Sequence, residues 1–169
     1  MFWPRLQLTA DESKWVSQYY DPNKGRTVVR RIYNGALSLT DIQRQPTFNF
    51  QIARRSRVFA LTASGDLSQF KIQLQNSSGE QYFSEPIAAS NIFGGYNQRP
   101  PSAIYPDFNQ VMGFPFTLAP FVIEPNIVLQ PNQTLNLIGS EMIPYAGKNY
   151  TIEVVFHVWE FPGYHGGPT

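Results

Sequence analysis

Apolar and polar side chains alternate strictly in Thr47-Phe48-Asn49-Phe50-Gln51-Ile52, which places Phe48, Phe50 and Ile52 on one face of an extended chain. A repeat of two residues is typical of a β-strand with one buried face, because successive side chains of a strand point to opposite sides. This stretch therefore predicts a half-buried strand, and it sets the pattern against which the remaining sequence can be compared.

The same alternation recurs in Phe70-Lys71-Ile72-Gln73-Leu74-Gln75, and the turn-forming residues Asn76-Ser77-Ser78-Gly79 follow directly. We predict a hairpin here, with residues 81–84 as the returning strand. In Tyr150–Phe161 both faces are rich in large side chains, which predicts a strand that is central or covered on both sides.

Further strands are predicted at Thr27–Tyr33, Val58–Ala63, Phe121–Leu129 and Thr134–Ile138. About eight short strands predict an all-β fold, a two-sheet antiparallel sandwich that is either a jelly roll or immunoglobulin-like, and we favour the jelly roll. Extended N- and C-terminal arms and a long loop complete this picture.

Helical signals are weak because 14 prolines are spread along the chain. The best candidate is Asp11–Tyr20, with Asp11 or Thr9 as its cap. We predict an N-terminal arm with this short helix over residues 1–25, a β-sandwich over 26–161 and a C-terminal tail over 162–169. The stretch Ile92–Asn109 is predicted to be a long exposed loop, and loops of this length are often functional.

The composition restricts the possible chemistry. The chain has no cysteine, which excludes disulfides, thiolate metal sites and a cysteine nucleophile. No segment approaches the roughly 18 apolar residues of a membrane-spanning helix, and residues 1–5 do not resemble the start of a signal peptide. We expect a soluble protein made in a cytoplasm, with no membrane partner.

The formal charge of +1 hides two halves of opposite sign. Residues 1–57 contain ten Lys or Arg and four Asp or Glu, a net of +6, whereas residues 58–169 contain three and eight, a net of −5. Such halves could dock on charged surfaces of a partner, including another copy of the chain. Unevenly charged but solvated strand faces explain the same counts.

No motif of an active site is found. His157 and His165 are not spaced with other ligands as a metal site requires, and there is no nucleophile elbow, P-loop or dinucleotide fingerprint. We predict no catalytic residues, no metal, no cofactor and no small-molecule substrate. Paired carboxylates for sugar hydrolysis remain an alternative, and the candidates are Glu124, Glu141, Glu153 and Glu160.

Arginines and aromatic residues suit a protein interface, where both are enriched and lysine is depleted, and the chain has nine Arg but only four Lys. The cluster Arg54-Arg55-Ser56-Arg57 could instead bind phosphate beside Phe48 and Phe50, but those rings fit a buried strand face better, so nucleic acid is not the expected partner. Exposed rings could also form a sugar-binding platform. The candidate protein-contact residues are Trp3, Trp15, Tyr19, Tyr20, Arg54, Arg55, Arg57, Tyr96, Arg99, Tyr105 and Tyr164.

The segment Gly113-Phe114-Pro115-Phe116-Thr117-Leu118-Ala119-Pro120-Phe121-Val122-Ile123-Glu124-Pro125-Asn126-Ile127-Val128-Leu129-Gln130-Pro131-Asn132-Gln133-Thr134-Leu135 resembles segments of small structural proteins of tailed-bacteriophage heads. The texture of the chain, rich in Asn, Gln, Pro and aromatics and free of Cys, is similar to that of capsid cement or decoration proteins. The resemblance implies a jelly-roll or related β-fold.

It also implies a non-enzymatic protein of the virion, made in the host cytoplasm and located on the outer capsid surface. Its partners would be the major capsid protein and other copies of itself, as a homo-dimer or homo-trimer, and it would clamp neighbouring capsid subunits together. The alternative function is a β-sandwich module of a phage tail or fibre that binds a carbohydrate or receptor.

Overall fold

The computed structural model describes residues 6–19, 28–93, 120–143 and 149–164, which form eight β-strands and two α-helices. The helices are α1 (Ala10–Tyr19) and α2 (Ala89–Phe93), and a 3-10 turn (Leu67–Gln69) leads into the fourth strand. The strands are β1 (Val29–Leu39), β2 (Thr47–Gln51), β3 (Ser56–Gly65), β4 (Phe70–Asn76), β5 (Ile87–Ala88), β6 (Phe121–Leu129), β7 (Thr134–Glu141) and β8 (Tyr150–Glu160). Neither helix in these four ranges has the length and apolar character needed to cross a membrane.

The strands form two four-stranded sheets, ordered β1-β8-β3-β6 and β2-β7-β4-β5. The pairs β1–β8, β2–β7, β3–β6 and β4–β5 are all antiparallel. Such nested pairing, in which the first strand pairs with the last and the second with the second-last, is the strand order of a jelly roll. The predicted all-β, two-sheet antiparallel sandwich is confirmed, and the strand order selects the jelly roll over the immunoglobulin-like arrangement.

The core lies between the sheets and is built by the alternating faces. β8 is central, between β1 and β3, as its two apolar faces predict. Its residues Ile152, Val154, Phe156 and Val158 are fully buried. Phe50 of β2 stacks on Phe156 from the opposite sheet, with 4.6 Å between the ring centroids, so the two stretches with the clearest alternation meet in the core.

The hairpin after β4 differs from the prediction. Residues 81–84 return along β4 only at their start, where Gln81 bridges Gln75 and the Tyr82 N–H donates to the Leu74 carbonyl at 2.8 Å. The strand that pairs with Lys71 and Ile72 is β5. The side-chain oxygen of Asn76 accepts hydrogen bonds from the backbone N–H groups of Ser78 and Glu80, at 3.1 and 2.9 Å. The Gly79 N–H also donates to the Asn76 carbonyl and the Asn76 N–H to the Glu80 carbonyl, each at 3.0 Å, so the turn is tight. The chain leaves the edge of β4 only after Tyr82, and it returns as β5.

The predicted N-terminal helix is confirmed as α1, which begins at Ala10. Its cap is Thr9 rather than Asp11: the Thr9 hydroxyl accepts the Glu12 N–H at 3.2 Å, and the Glu12 carboxylate accepts the Thr9 N–H at 3.0 Å. This reciprocal pair is a capping box, in which two otherwise unpaired donors of the first turn are satisfied.

Two predicted irregular segments are described only in part. Within the predicted loop Ile92–Asn109, Ile92 and Phe93 belong to α2, and Phe93 is fully buried; the remaining residues of that loop lie outside the described ranges. Within the predicted tail 162–169, residues 162–164 are described and Tyr164 is buried.

Candidate protein-contact site

A buried ion cluster joins α1 to the start of β3. The side chain of Glu12 is completely buried, and its two oxygens accept hydrogen bonds from the Nε atoms of Arg55 and Arg57, each at 2.7 Å. Burial alone would raise the pKa of the Glu12 carboxyl, but the hydrogen bonds from Arg57, from the Thr9 backbone and from Arg55, together with the Arg57 charge, lower this pKa below its ordinary value. Glu12 is therefore held as a carboxylate between two guanidinium groups.

A second, smaller apolar cluster lies beside these ions. Trp15 of α1 contacts Tyr164 edge to face, with 5.4 Å between the ring centroids, and also packs near Phe161. The Arg55 guanidinium lies over the Tyr164 ring, 5.0 Å from its centroid. The described N-terminal and C-terminal segments are therefore fastened to each other and to the sandwich.

These contacts change how four predicted contact residues are interpreted. Arg57 and Tyr164 are buried, and Arg55 and Trp15 are largely covered. All four bind within the chain because Glu12 draws the arginines inward and the rings form their own cluster. These four residues hold segments of this protein together. The accessible residues that could contact a partner lie around Arg54.

Arg54 lies at a second carboxylate, Glu160 at the end of β8. The Glu160 side chain is 3% exposed, and its Oε2 atom lies 3.2 Å from Arg31 Nε and 3.8 Å from Arg54 Nη1. Tyr33 donates its hydroxyl hydrogen bond to the other carboxylate oxygen. Burial, the hydrogen bond to Glu160 and the Glu160 charge raise the pKa of Tyr33 to about 12, so the phenol stays protonated and acts as a donor.

Both guanidinium groups remain accessible from outside. The side chains of Arg31 and Arg54 are each 52% exposed, and they border a depression of about 320 Å³ whose floor includes Ile52 and Ala53. Arg54 Nη1 forms an ion pair with Glu160 at 3.8 Å, which is too long for a hydrogen bond. A guanidinium has five N–H donors, so most donors of Arg31 and Arg54 are not used by Glu160. The two arginines, held in place by a buried carboxylate, form a site suited to carboxylates of a protein partner.

Next to this depression, β1 forms the edge of its sheet. β1 pairs with β8 on one side, and among the described residues no strand pairs with its other side. Ile32 lies in the N-terminal half of β1, where most side chains are exposed, and it is itself 61% exposed. The candidate site therefore combines an open strand edge, an exposed isoleucine and two positioned arginines.

The sequence predicted only part of this site. Arg54 was predicted, whereas Arg31, Ile32, Tyr33 and Glu160 were not predicted to act together. A predicted strand contains the run Arg30-Arg31-Ile32-Tyr33. The sequence does not show the register that places Val29 opposite Glu160 and so brings this run to the carboxylate. Of the remaining predicted contact residues, Tyr19 ends α1 with its side chain undescribed, and Trp3, Tyr20, Tyr96, Arg99 and Tyr105 lie outside the described ranges.

The four glutamates considered for sugar hydrolysis do not converge. Glu160 and Glu141 each bind an arginine, and they lie in different sheets. Glu124 is exposed on β6, and Glu153 is exposed on β8, seven residues before Glu160 and on the opposite face of that strand. Within the described ranges, no three His, Asp or Glu side chains form a group that could hold a metal ion.

A larger cleft of about 530 Å³ lies between β6 and the segment after the β4 turn. Most of its lining is apolar, and its polar residues are Glu80, Tyr82, Glu124 and Asn126. Burial, and next the Glu80 charge, raise the pKa of Tyr82 above its ordinary value. No histidine, serine or lysine is among these described lining residues.

His157 lies on the outer face of β8, where it is 6% exposed and packs near Phe59 with 6.1 Å between the ring centroids. Its Nε2 atom lies 3.2 Å from the Thr62 hydroxyl. Burial, and next the positive charge of Arg30, lower the pKa of His157 below its ordinary value of 6.5. The imidazole is therefore neutral at pH 7 in the folded protein.

This histidine predicts a loss of stability in mild acid. Its pKa is lower in the folded than in the unfolded state, so below pH 6.5 the unfolded state binds more protons and the free energy of unfolding falls as pH falls. We expect a slope of at most about 1.4 kcal/mol per pH unit from this group between pH 7 and pH 5. Urea unfolding at several pH values should show that His157→Gln reduces the slope, whereas His165→Gln, which changes the other histidine, leaves it in place. An unchanged slope in His157→Gln would contradict the assignment.

No protein-family model, curated protein or solved structure matches the chain. A jelly roll supports many unrelated functions, so the fold does not by itself identify one. A function can therefore be inferred only from the residues of the site.

Proposed function

We propose that this chain is a virion structural protein that binds the outer surface of a bacteriophage capsid and bridges neighbouring capsid subunits as a cement or decoration protein. Its partners in this proposal are the major capsid protein and other copies of the chain. The observation that carries the proposal is the pair of half-exposed arginines, Arg31 and Arg54, whose guanidinium nitrogens lie 3.2 and 3.8 Å from the carboxylate of the buried Glu160.

Fixed arginines suit a structural contact. An isolated surface arginine loses side-chain entropy when it binds, whereas a guanidinium already anchored to a buried carboxylate has lost part of that freedom on folding. Arginine is also the cationic residue most enriched in protein interfaces, where its planar group binds carboxylates in a bidentate manner. Acidic side chains on a capsid subunit are the chemistry that this site would recognise.

The fastened chain ends support the same function. The Glu12 cluster and the Trp15–Tyr164 contact pack α1 and residues 161–164 against the sandwich. Repetition over a capsid lattice multiplies modest contacts into stable attachment.

The resemblance to phage head proteins adds a second line of support. Residues 120–135 of the segment that carries it form β6, the turn after it and the start of β7. These are two strands of different sheets, joined at one end of the sandwich.

The proposal predicts that the purified protein cosediments with capsids that lack it and that Arg54→Gln weakens this binding by about tenfold or more. The variant removes the positive charge of Arg54 and does not reverse it, because a reversal would place a second carboxylate beside Glu160. The weakened binding should also depend less on salt concentration, because one charged contact has been removed.

Arg44→Gln is the matched control. Arg44 is likewise a partly exposed arginine bound to a glutamate, Glu141, but it lies at the other sheet. It should change capsid binding little, and thermal unfolding of both variants shows whether the fold is kept. Absence of capsid binding by the unmodified protein would overturn the proposed function, and equal binding by Arg54→Gln would exclude this site as the contact.

A further inference from the structure

We infer that β1 is the surface through which two copies of this chain pair, edge to edge and antiparallel, about a two-fold axis. The inference extends the proposed function, which predicts self-association without giving its surface, and its test requires no capsid. Pairing would join the sheets β1-β8-β3-β6 of two copies into one continuous sheet of eight strands.

β1 differs from the other three sheet edges. It has eleven residues, contains no proline and pairs with β8 without a register shift. The other edge of the same sheet, β6, contains Pro125 and has an irregular register opposite β3. The edges of the second sheet are short, with five residues in β2 and two in β5. Short strands, prolines and bulges are among the features by which proteins prevent edge pairing, and β1 has none of these three. Its charged residues, Arg30 and Arg31, lie at one end of the strand.

The sequence of β1 favours one register. The midpoint of Val29–Leu39 is Asn34, and a two-fold axis at Asn34 pairs all eleven residues of one copy with those of the other. It places Arg30 opposite Ser38, Arg31 opposite Leu37 and Ile32 opposite Ala36 of the second copy. The arginines of the two copies thus lie at opposite ends of the new ribbon, and no like charges face each other across it.

This register also covers an exposed apolar side chain. Ile32 is 61% exposed in the single chain, and it shares the outer face of the sheet with Ala36, which is also exposed. Pairing brings Ile32 of each copy opposite Ala36 of the other, once on either side of the two-fold axis. Main-chain hydrogen bonds, about one for each residue pair, add to this burial and satisfy the open edge.

Cysteine cross-linking tests both the contact and its register. The chain contains no cysteine, so Asn34→Cys introduces a single thiol at the proposed axis. Residues directly opposite in an antiparallel pair have Cα atoms about 4.5–5.5 Å apart, which lies within the span of a disulfide. We expect mild oxidation to link Asn34→Cys into a dimer almost completely. Ile42→Cys, at a 97% exposed position away from the axis, should remain largely unlinked.

The association itself is measured by analytical ultracentrifugation. We expect a dimer for the unmodified protein and an approximately tenfold weaker dimer for Ile32→Glu, whereas Ile42→Glu should behave like the unmodified protein. Adding Ala36→Lys to Ile32→Glu should restore most of the affinity, because the new charges face each other in the register centred on Asn34.

A monomer at all concentrations, or equal cross-linking of Asn34→Cys and Ile42→Cys, would overturn the inference. These outcomes are separate from the test of the proposed function. A monomer that still binds capsids leaves the proposed function in place, and a dimer that fails to bind them leaves only the pairing of β1.

Discussion

Glu12→Ala should lower the free energy of unfolding by about 3–5 kcal/mol, the range observed when one partner of a buried ion pair is removed. Glu12 has no exposed side-chain surface, and it binds both Arg55 and Arg57, whose side chains are 11% and 6% exposed. The substitution leaves two buried guanidinium groups without their carboxylate. It also removes half of the capping box that begins α1.

The measurement is urea unfolding followed by tryptophan fluorescence. Asp11→Ala is the matched control, because Asp11 is the exposed neighbour of Glu12 on the same helix. Both substitutions remove one carboxylate. It should cost less than about 1 kcal/mol. A loss below about 1 kcal/mol in Glu12→Ala as well would show that the cluster contributes little to stability.

A triple variant separates the charge from the packing. Replacing Glu12, Arg55 and Arg57 together by leucine removes every charge of the cluster, so no buried ion is left without a partner. Such replacements are often neutral or stabilising, and the triple variant should therefore be more stable than Glu12→Ala alone.

The strands could be predicted because their signal is local. Burial of one face requires an apolar residue at every second position, and this pattern is visible in β2, β4 and β8 without knowledge of their partners. The start of α1 was predictable for the same reason, since the cap and its partner are three residues apart. The tight turn after β4 was also predictable, but the return along β4 stops after Tyr82, and β5 takes over the pairing with Lys71 and Ile72.

The site was predictable only in part because its contacts join residues that are distant in sequence. Arg57 and Glu12 are 45 positions apart, and Glu160 meets Arg31 from the far end of the chain. A cluster of arginines in a sequence indicates positive charge, but it does not indicate which guanidinium turns inward to a buried carboxylate. The strand order decides this, and the strand order depends on pairing across the whole chain.

The edge character of β1 is a second property that no local pattern contains. Its sequence would suit a central strand, since it has no proline and alternates regularly from Gly35 to Leu39. It is an edge because, among the described residues, β8 is its one neighbouring strand. The surface that we propose for self-association is thus a consequence of topology.

Phe156→Ala should destabilise the protein by about 3–5 kcal/mol, the usual cost of deleting a buried phenylalanine ring. Phe156 is fully buried and stacks on Phe50 with an angle of 3° between the rings, and Phe48 packs beside it at 5.8 Å. Loss of this ring opens a cavity between the two sheets where each sheet contributes aromatic residues. For a chain of this size the melting temperature should fall by roughly 6–20 °C.

Val155→Ala is the control, because Val155 is the next residue of β8 and points to the opposite, half-covered face. It should cost clearly less, about 1 kcal/mol. Within the chain, the pairing of β1 with β8 places Phe156 opposite Tyr33. Tyr33 also contacts Phe50, with 5.3 Å between the ring centroids. The cavity therefore lies directly beneath the edge strand, and Phe156→Ala should weaken cross-linking of Asn34→Cys at temperatures where the protein is still folded. Full cross-linking in a variant that has lost several kcal/mol would show that the β1 edge is held by β8 backbone pairing alone, without support from the aromatic core.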